Sequence, residues 1–181
     1  MSGRLIAVVG PSGAGKDSVA AEMVARRPAL HWVRRVVTRP AEPGGEPFVP
    51  ATEAEFARAE AAGTFALAWR AHGLAYGVPR SELTCLEAGR DALVNLSRGA
   101  LPEAQARFPS LVALHVTAPP ALRAQRLAAR GRESLQEIAG RLAREAPLPD
   151  GVRVVQIDNS TTLAAAAEAA LSALDRQEAL P

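Results

Sequence analysis

The sequence contains very little cysteine, and this shortage excludes two kinds of stabilisation. Cys85 is the only cysteine among 181 residues, so no disulfide can form within the chain. The histidines, at positions 31, 72 and 115, are too scattered to form a structural zinc site with it. No apolar run approaches the roughly 20 residues that span a bilayer. The N-terminal residues carry no signal-peptide cleavage pattern. We therefore expect a cytoplasmic protein that has no membrane partner.

The chain also has little lysine and little net charge. Of the 21 basic residues, Lys16 alone is a lysine and the others are arginines. Against 19 acidic residues they leave a net charge of +2, which is too small to indicate a nucleic-acid partner. A GC-rich genome explains the arginines but not the exception. Position 16 is therefore expected to require a compact ammonium group on a flexible stem.

Short apolar segments alternate with segments of helical periodicity along the whole chain. The length suits one domain, and the alternation predicts an α/β fold with a parallel sheet over residues 1–181. Thr52 with Glu55 and Ser134 with Glu137 have the spacing of capping residues, and Ser160 or Thr161 is expected to cap the terminal helix. The predicted strands are 4–10, 33–38, 65–70, 74–78, 91–96, 111–117 and 152–157, and the other predicted helices are 16–27, 52–62, 79–89, 102–107, 120–130 and one that begins at 134.

Residues 10–18 read Gly-Pro-Ser-Gly-Ala-Gly-Lys-Asp-Ser and lie between the first predicted strand and the first predicted helix. A P-loop occupies this position in a fold, because its backbone N–H groups surround phosphates at the positive end of the helix dipole. Lys16 would reach the β- and γ-phosphates. The spacing predicts a nucleoside triphosphate site made of Gly10, Pro11, Ser12, Gly13, Ala14, Gly15, Lys16, Asp17 and Ser18.

The P-loop departs from its usual pattern directly after the lysine. A serine or threonine normally follows and ligates Mg²⁺, whereas this chain has Asp17, with Ser18 one place later. The predicted strand 91–96 also departs, because it offers Asn95 and then Ser97 where P-loop kinases usually carry a metal-directed aspartate. One interpretation is a decayed P-loop. The other is that the carboxylate has moved from the strand to the loop, where Asp17 holds Mg²⁺ directly or through water.

Further segments point to a known family. They are 37–40 (Val-Thr-Arg-Pro), 48–49 (Phe-Val), 72–79 (His-Gly-Leu-Ala-Tyr-Gly-Val-Pro) and 130–132 (Arg-Gly-Arg). With the P-loop, these segments resemble guanylate kinases over nearly the whole chain. The resemblance implies a P-loop kinase fold with a parallel core sheet flanked by helices, a small acceptor-binding lobe near 35–80 and an arginine-rich lid near 125–145. It also implies that Arg126 contacts ATP and that Lys16, Arg130, Arg132 and Arg141 are catalytic.

The acceptor side departs from guanylate kinases. Positions that read the guanine edge with polar groups in that family hold Glu46, Leu67 and Val78, and each lost hydrogen-bond partner would cost about 1–3 kcal/mol. The segments Gly-Lys-Asp-Ser at 15–18, Val-Asn-Leu-Ser-Arg at 94–98 and Arg-Gly-Arg-Glu at 130–133 resemble instead the ribose 1,5-bisphosphate phosphokinases of bacterial phosphonate breakdown.

That second resemblance implies a reaction and a set of acceptor contacts. ATP, with Mg²⁺, would phosphorylate the 1-phosphate of ribose 1,5-bisphosphate to give 5-phosphoribosyl 1-diphosphate (PRPP) and ADP. The residues implied to contact this phosphorylated sugar are Thr38, Arg39, His72, Tyr76, Asn95, Ser97 and Arg98.

Several alternatives stay open at this point. The acceptor could be GMP or another nucleoside monophosphate, or the chain could be a guanylate-kinase-like binding module without catalysis. The intact P-loop glycines and Lys16 argue against the binding module. Arg123, Arg126 and Arg130 recur at helical spacing and could form an ordinary solvated helix face. A homodimer is compatible with the sequence.

Overall fold

The structure, a computed structural model, describes residues 3–40, 46–129, 139–140, 142 and 147–178. Short 3₁₀ helices span Arg80–Leu83 and Arg98–Ala100. The helices are α1 (Lys16–Arg26), α2 (Glu53–Ala61), α3 (Thr84–Glu87), α4 (Leu101–Arg107), α5 (Pro120–Ala129) and α6 (Leu163–Glu178). The strands are β1 (Leu5–Val9), β2 (His31–Trp32), β3 (Arg35–Val37), β4 (Phe48–Pro50), β5 (Phe65–Ala71), β6 (Leu74–Pro79), β7 (Ala92–Asn95), β8 (Val112–Thr117) and β9 (Val154–Asp158).

The central sheet contains five parallel strands in the order β2-β7-β1-β8-β9. Strand β1 lies in the middle and is buried along its whole length, which explains its uninterrupted apolar sequence. Its alternate side chains enter two separate cores. Ile6 and Val8 pack with residues of α1 and α6, whereas Leu5, Ala7 and Val9 pack with residues of α4 on the other face. The predicted parallel α/β fold is confirmed.

A second sheet has the order β4-β3-β6-β5, in which β3 pairs with β4 in parallel and with β6 antiparallel. Strands β5 and β6 form a hairpin whose turn residues, His72 and Gly73, both have positive φ, at 54° and 74°. A two-residue turn of this kind matches the twist of the flanking strands. This sheet and α2 lie within residues 35–80, where the acceptor-binding lobe is expected.

The predicted single strand over 33–38 is wrong, because the chain changes sheets within it. The backbone N–H of Val33 still donates to Leu93 of the central sheet, at 2.9 Å, whereas Val36 pairs with Gly77 in the second sheet. Arg34 lies between them, and its backbone N–H donates to the Glu82 carboxylate at 3.0 Å. The segment is divided because its two parts pack on different partners, Val33 on the central sheet and Val36 on the second sheet.

The two sheets share one hydrophobic core. Leu67 and Val78 face each other across the β5–β6 ladder and are 1% and 0% exposed. Both belong to the cluster that contains Leu5, Ala7 and Val9 of the central strand. The apolar replacements noted at positions 67 and 78 therefore attach the second sheet to the rest of the molecule.

Two of the helix starts predicted from capping residues lie within the described residues, and the structure confirms the first. Thr52 and Glu55 form a capping box before α2, with Glu55 N–H donating to Thr52 Oγ1 at 3.2 Å and Thr52 N–H to Glu55 Oε2 at 2.8 Å. The expected cap of the last helix at Ser160 or Thr161 is wrong. Thr162 Oγ1 accepts from Ala165 N–H at 3.2 Å, while the Ser160 hydroxyl donates to Asp158 at 2.7 Å and is used there.

The helix predicted to begin at 134 and most of the expected lid at 125–145 lie outside the described residues. Within the described ranges, no helix is both long and apolar enough to cross a membrane.

We expect Thr162→Ala to lower the free energy of unfolding by about 0.5–2 kcal/mol, because α6 would lose its N-terminal cap. Thr161→Ala is the matched control and should change it by less than about 0.5 kcal/mol. Urea unfolding of the two variants measures the difference. Equal losses in both would contradict the assignment of the cap.

Candidate functional site

The P-loop joins the buried strand β1 to the start of α1. Its three glycines have φ values of 145°, 79° and 86°, and α1 begins directly at Lys16. The ammonium group of Lys16 folds back across the loop, where Nζ donates to the carbonyl oxygens of Gly10 and Pro11 at 3.0 and 3.1 Å. The loop therefore holds its one lysine over the open end of the helix, where an anion is favoured by the helix dipole.

Gly15 shows why this position of the loop requires glycine. It precedes α1 in the left-handed region, and a Cβ built there would lie 2.5 Å from Asn159 Nδ2. Asn159 follows β9 and is buried, and its Nδ2 donates to the carbonyl of Ala14 at 2.8 Å. A residue after the last strand thus supports the P-loop from outside.

Arg126 joins the same contact from α5. Its guanidinium donates to the carbonyl oxygens of Ala14, at 3.3 Å, and Asn159, at 2.9 Å. The neighbouring Arg123 is only 3% exposed. For these two arginines the alternative of a solvated helix face is wrong, since both lie against the P-loop side of the molecule.

Asp17 and Asn95 meet where the P-loop faces the end of β7. Asn95 Nδ2 donates to Asp17 Oδ1 at 2.7 Å. Asn95 pairs with Val8 in the sheet, so the carboxyl ends of β1 and β7 are neighbours and the polar side chains beyond them converge. Asn95 is 4% exposed, and its Oδ1 has no hydrogen-bond partner among the described residues.

The chemistry of these two side chains suits a magnesium ion. Mg²⁺ prefers oxygen ligands and is usually bound by one or two carboxylates together with phosphates and water. Asp17 offers a half-buried carboxylate, and Asn95 offers an unpaired amide oxygen beside it. Among the described residues no group of three or more His, Cys, Asp or Glu side chains could hold a metal by itself. A metal at this place would therefore depend on ligand phosphates.

An aromatic pair faces the end of β7 from the second sheet. The rings of Trp69 and Tyr76 stack at 5.3 Å with an interplanar angle of 7°. Trp69 Nε1 donates to Ser97 Oγ at 2.8 Å. Two predicted acceptor contacts, Tyr76 and Ser97, are thus brought to the same place. Trp69 is half-buried, packs against the shared core and connects the second sheet to the central one.

Thr38 and Arg39 lie at the end of β3, beside an open cleft of about 390 Å³ that the start of α2 also lines. The Ala75 N–H donates to Thr38 Oγ1 at 2.8 Å, and the Arg39 guanidinium lies 4.4 Å from the centre of the Phe48 ring. These contacts orient both side chains beside the cleft, and the contact of Arg39 with the ring is a cation–π interaction.

The remaining predicted residues are more scattered. His72 is exposed at the turn of the β5–β6 hairpin. Arg98 is half-buried at the first position after Ser97 and forms no ion pair within the part of the chain that the structure describes. Ser18 is exposed on α1. Arg130, Arg132 and Arg141 lie outside the described residues.

Sequence reasoning missed a buried ion pair at this site. Arg35 and Glu46 form a salt bridge in which both side chains are 8% exposed. Burial is the largest cause that raises the pKa of Glu46, and the charge of Asp17 raises it further, while the charges of Arg35 and Arg39 oppose the shift. Its partner Arg35 lies over the rings of Trp69 and Tyr76, so the ion pair lies beside the predicted acceptor contacts. The signal that could have revealed this ion pair is Glu46, an acidic residue in a region predicted to bind phosphates. Asn159 was missed too, although it follows a strand at the sheet edge where ligands bind.

Solved structures define the class of protein to which this architecture belongs. The guanylate kinase of Anaplasma phagocytophilum matches it with a TM-score of 0.74 at 18% identity, over 99% of this chain and 88% of that one. The fold is therefore that of the guanylate-kinase-like P-loop kinases. No protein-family model matches the sequence.

Curated relatives define the family more closely. The ribose 1,5-bisphosphate phosphokinase PhnN of Ruegeria sp. (strain TM1040) is 49% identical over 166 residues, which are 91% of this chain and 87% of the relative. The protein of the same name from Azotobacter vinelandii (strain DJ / ATCC BAA-1303) is 49% identical over 174 residues, with 94% and 95% coverage. The chain belongs to the ribose 1,5-bisphosphate phosphokinase PhnN family.

We expect Gly15→Ala to destabilise the fold more than Gly151→Ala. Both glycines have positive φ, at 86° and 77°, but only Gly15 is crowded by Asn159, because none of the described residues lies within 4 Å of a Cβ at Gly151. The left-handed backbone costs an alanine about 1–2 kcal/mol at either position, and the crowding should add at least about 1 kcal/mol at Gly15. Urea unfolding compares them. Equal losses would show that the Asn159 contact does not constrain the loop.

Proposed function

We propose that this chain transfers the γ-phosphoryl group of ATP to the 1-phosphate of ribose 1,5-bisphosphate, with PRPP and ADP as products. The observation that carries the proposal is the hydrogen bond between Asp17 and Asn95. It gives the altered P-loop a specific partner at the end of β7, which a decayed loop would not need. Membership of the PhnN family supports the same acceptor.

The donor side of the site would bind ATP through the P-loop. Residues 10–18 supply the backbone N–H groups, and the ammonium of Lys16 can exchange the carbonyl oxygens of Gly10 and Pro11 for phosphate oxygens. Arg126 and Asn159 keep the loop in shape by their bonds to Ala14. The loop is thereby preorganised before the nucleotide arrives.

Asp17 is the residue that would hold Mg²⁺, with Asn95 Oδ1 as a second oxygen close to it. When bound, the metal would neutralise charge on the β- and γ-phosphates. In this proposal the site keeps the carboxylate that is usual in P-loop kinases. The carboxylate is on the loop, at Asp17, and the strand carries the amide of Asn95 instead.

The acceptor needs positioning more than activation. Its attacking atom is an oxygen of the 1-phosphate, which is largely ionised at neutral pH because the second pKa of a phosphate monoester is near 6. A new P–O bond to the γ-phosphorus forms while the bond from that phosphorus to the β,γ-bridging oxygen breaks, and ADP leaves. No proton has to be removed from the nucleophile, so no general base is required.

Charge neutralisation is therefore the main task of the protein. The triphosphate and the bisphosphate bring many negative charges together, and guanidinium groups bind phosphates with two parallel hydrogen bonds. We assign Thr38, Arg39, Tyr76 and Arg98 to the acceptor phosphates, with His72, Asn95 and Ser97 around the sugar. Arg130, Arg132 and Arg141 are proposed to act on the transferred phosphoryl group. The physiological setting that we propose is phosphonate catabolism and PRPP supply in the cytoplasm.

Phosphorus NMR of the products tests the function. With ATP, Mg²⁺ and ribose 1,5-bisphosphate, we expect the diphosphate resonances of PRPP to appear as ADP forms, whereas GMP in place of the sugar should give little turnover. Lys16→Met is the control for P-loop chemistry and should abolish the reaction. Turnover of GMP but not of the sugar would make the chain a nucleotide kinase, and no turnover with tight phosphate-ester binding would make it a binding module.

We expect Asp17→Asn to lower kcat at saturating Mg²⁺ by about 100-fold, because the metal loses its charged ligand. The double variant Asp17→Asn with Asn95→Asp returns a carboxylate to the strand and should recover at least about tenfold of that loss. Steady-state rates across a Mg²⁺ titration measure both effects. An Asp17→Asn enzyme with the unchanged rate and Mg²⁺ requirement would refute the metal role.

A further inference from the structure

The ion pair between Arg35 and Glu46 is buried at a place where the proposed reaction gathers negative charge. Arg35 is the first residue of β3 and Glu46 precedes β4, and both side chains are 8% exposed. The charges of Asp17 and Arg39 both act on the Glu46 carboxyl and shift its pKa, in opposite directions. The pair lies beside the predicted acceptor contact Tyr76, because the guanidinium of Arg35 is over the Tyr76 ring.

Arg35 is fixed by the aromatic pair beneath it. Its guanidinium carbon lies 4.9 Å from the centre of the Tyr76 ring and 5.6 Å from that of Trp69. Trp69 is in turn bound to Ser97 at the end of β7. A guanidinium that is stacked on two rings and paired with a carboxylate has little freedom to turn toward a different anion. Its role here is to hold Glu46.

A buried carboxylate is costly at a site for phosphates. Glu46 repels Asp17, and it would also repel an incoming bisphosphate, so its presence requires a specific benefit. An ionised phosphate offers only acceptors, as a carboxylate does, and the two cannot hydrogen-bond to each other. The donors that a ribose bisphosphate does offer are its ring hydroxyl groups.

Glu46 has the capacity to accept from such a donor. Within the described residues only its Oε1 has a hydrogen-bond partner, the guanidinium of Arg35, and Oε2 is left for another. Arg35 balances the charge of the Glu46 carboxylate, so the carboxylate repels the phosphates less. Its Oε2 can still accept a hydrogen bond. Reading a hydroxyl with a buried polar group also gives strong selectivity, because an analogue without the hydroxyl leaves that group unpaired.

We propose that Glu46 accepts a hydrogen bond from a ring hydroxyl group of the acceptor ribose, and that Arg35 is the positioning residue that holds Glu46 for this contact. The inference deepens the proposed function and rests on it. It makes Glu46 the residue that distinguishes ribose from deoxyribose bisphosphates, in the part of the site where a guanylate kinase would read a base.

Selectivity between sugars tests the proposal. We expect the unaltered enzyme to prefer ribose 1,5-bisphosphate over its 2-deoxy or its 3-deoxy analogue by at least about 100-fold in kcat/KM, and the analogue with the larger loss identifies the hydroxyl. Glu46→Gln should reduce that preference about tenfold, because a neutral amide accepts a weaker hydrogen bond than a carboxylate. The preference is a ratio measured within one variant, so a smaller folded fraction cancels from it.

Glu60→Gln is the matched control, because Glu60 is also paired with an arginine of the second sheet, Arg70 at 2.7 Å, but on the exposed surface. It should leave the preference unchanged. If Glu46→Gln gives no turnover with any sugar, Glu46→Asp, which withdraws the carboxylate by one methylene, provides the same comparison.

The outcomes separate the inference from the function on which it rests. Turnover of ribose 1,5-bisphosphate without preference over either deoxy analogue, or an undiminished preference in Glu46→Gln or Glu46→Asp, would overturn the inference and leave the proposed function standing. Failure of the unaltered enzyme to phosphorylate ribose 1,5-bisphosphate at all would overturn both.

Discussion

The hydrogen bond between Asp17 and Asn95 is the contact on which the candidate site depends. It connects the first turn of α1 to the end of β7. A carboxylate with no partner at the end of a phosphate loop would repel the ligand that the loop binds. Beside an amide and the metal ion that we propose, it would become part of the phosphate site. The same sequence change is thus a defect or an adaptation according to what lies opposite, and Asn95 lies opposite.

The second sheet is attached to the core by contacts of two kinds. Leu67 and Val78 bury apolar surface against the central strand, and Trp69 donates to Ser97 at the end of β7. The apolar contacts stabilise the attachment of the second sheet but do not fix its orientation. The hydrogen bond fixes that orientation, and with it the residues that face the P-loop. Tyr76 and Arg35 follow from that orientation, since both stack on or over Trp69. This hydrogen bond and the stack of planar groups therefore orient the part of the proposed acceptor side that faces β7.

The individual charged groups at the candidate site indicate more about its function than the net charge of the chain does. The chain as a whole is almost neutral, at +2, yet Lys16 and Arg126 both contact the P-loop. Two carboxylates at the candidate site, Asp17 and Glu46, are each paired, one with an amide and one with a guanidinium. Each pairing leaves an oxygen for a ligand that is not a phosphate. The proposed ligands are a metal ion for Asp17 and a sugar hydroxyl for Glu46.

The sequence by itself determined the features that depend on neighbouring residues. The P-loop, the capping box of α2 and the alternation of helices and strands were predicted from local patterns, and with them the parallel α/β fold, because each depends on spacing along the chain. The sheet change at Arg34 was not predictable, since it depends on which distant strand each half of an apolar segment finds. The Asp17–Asn95 contact spans 78 positions. Sheet order and burial bring together the partners of this contact and of the Arg35–Glu46 pair. Only the tertiary structure decides sheet order and burial.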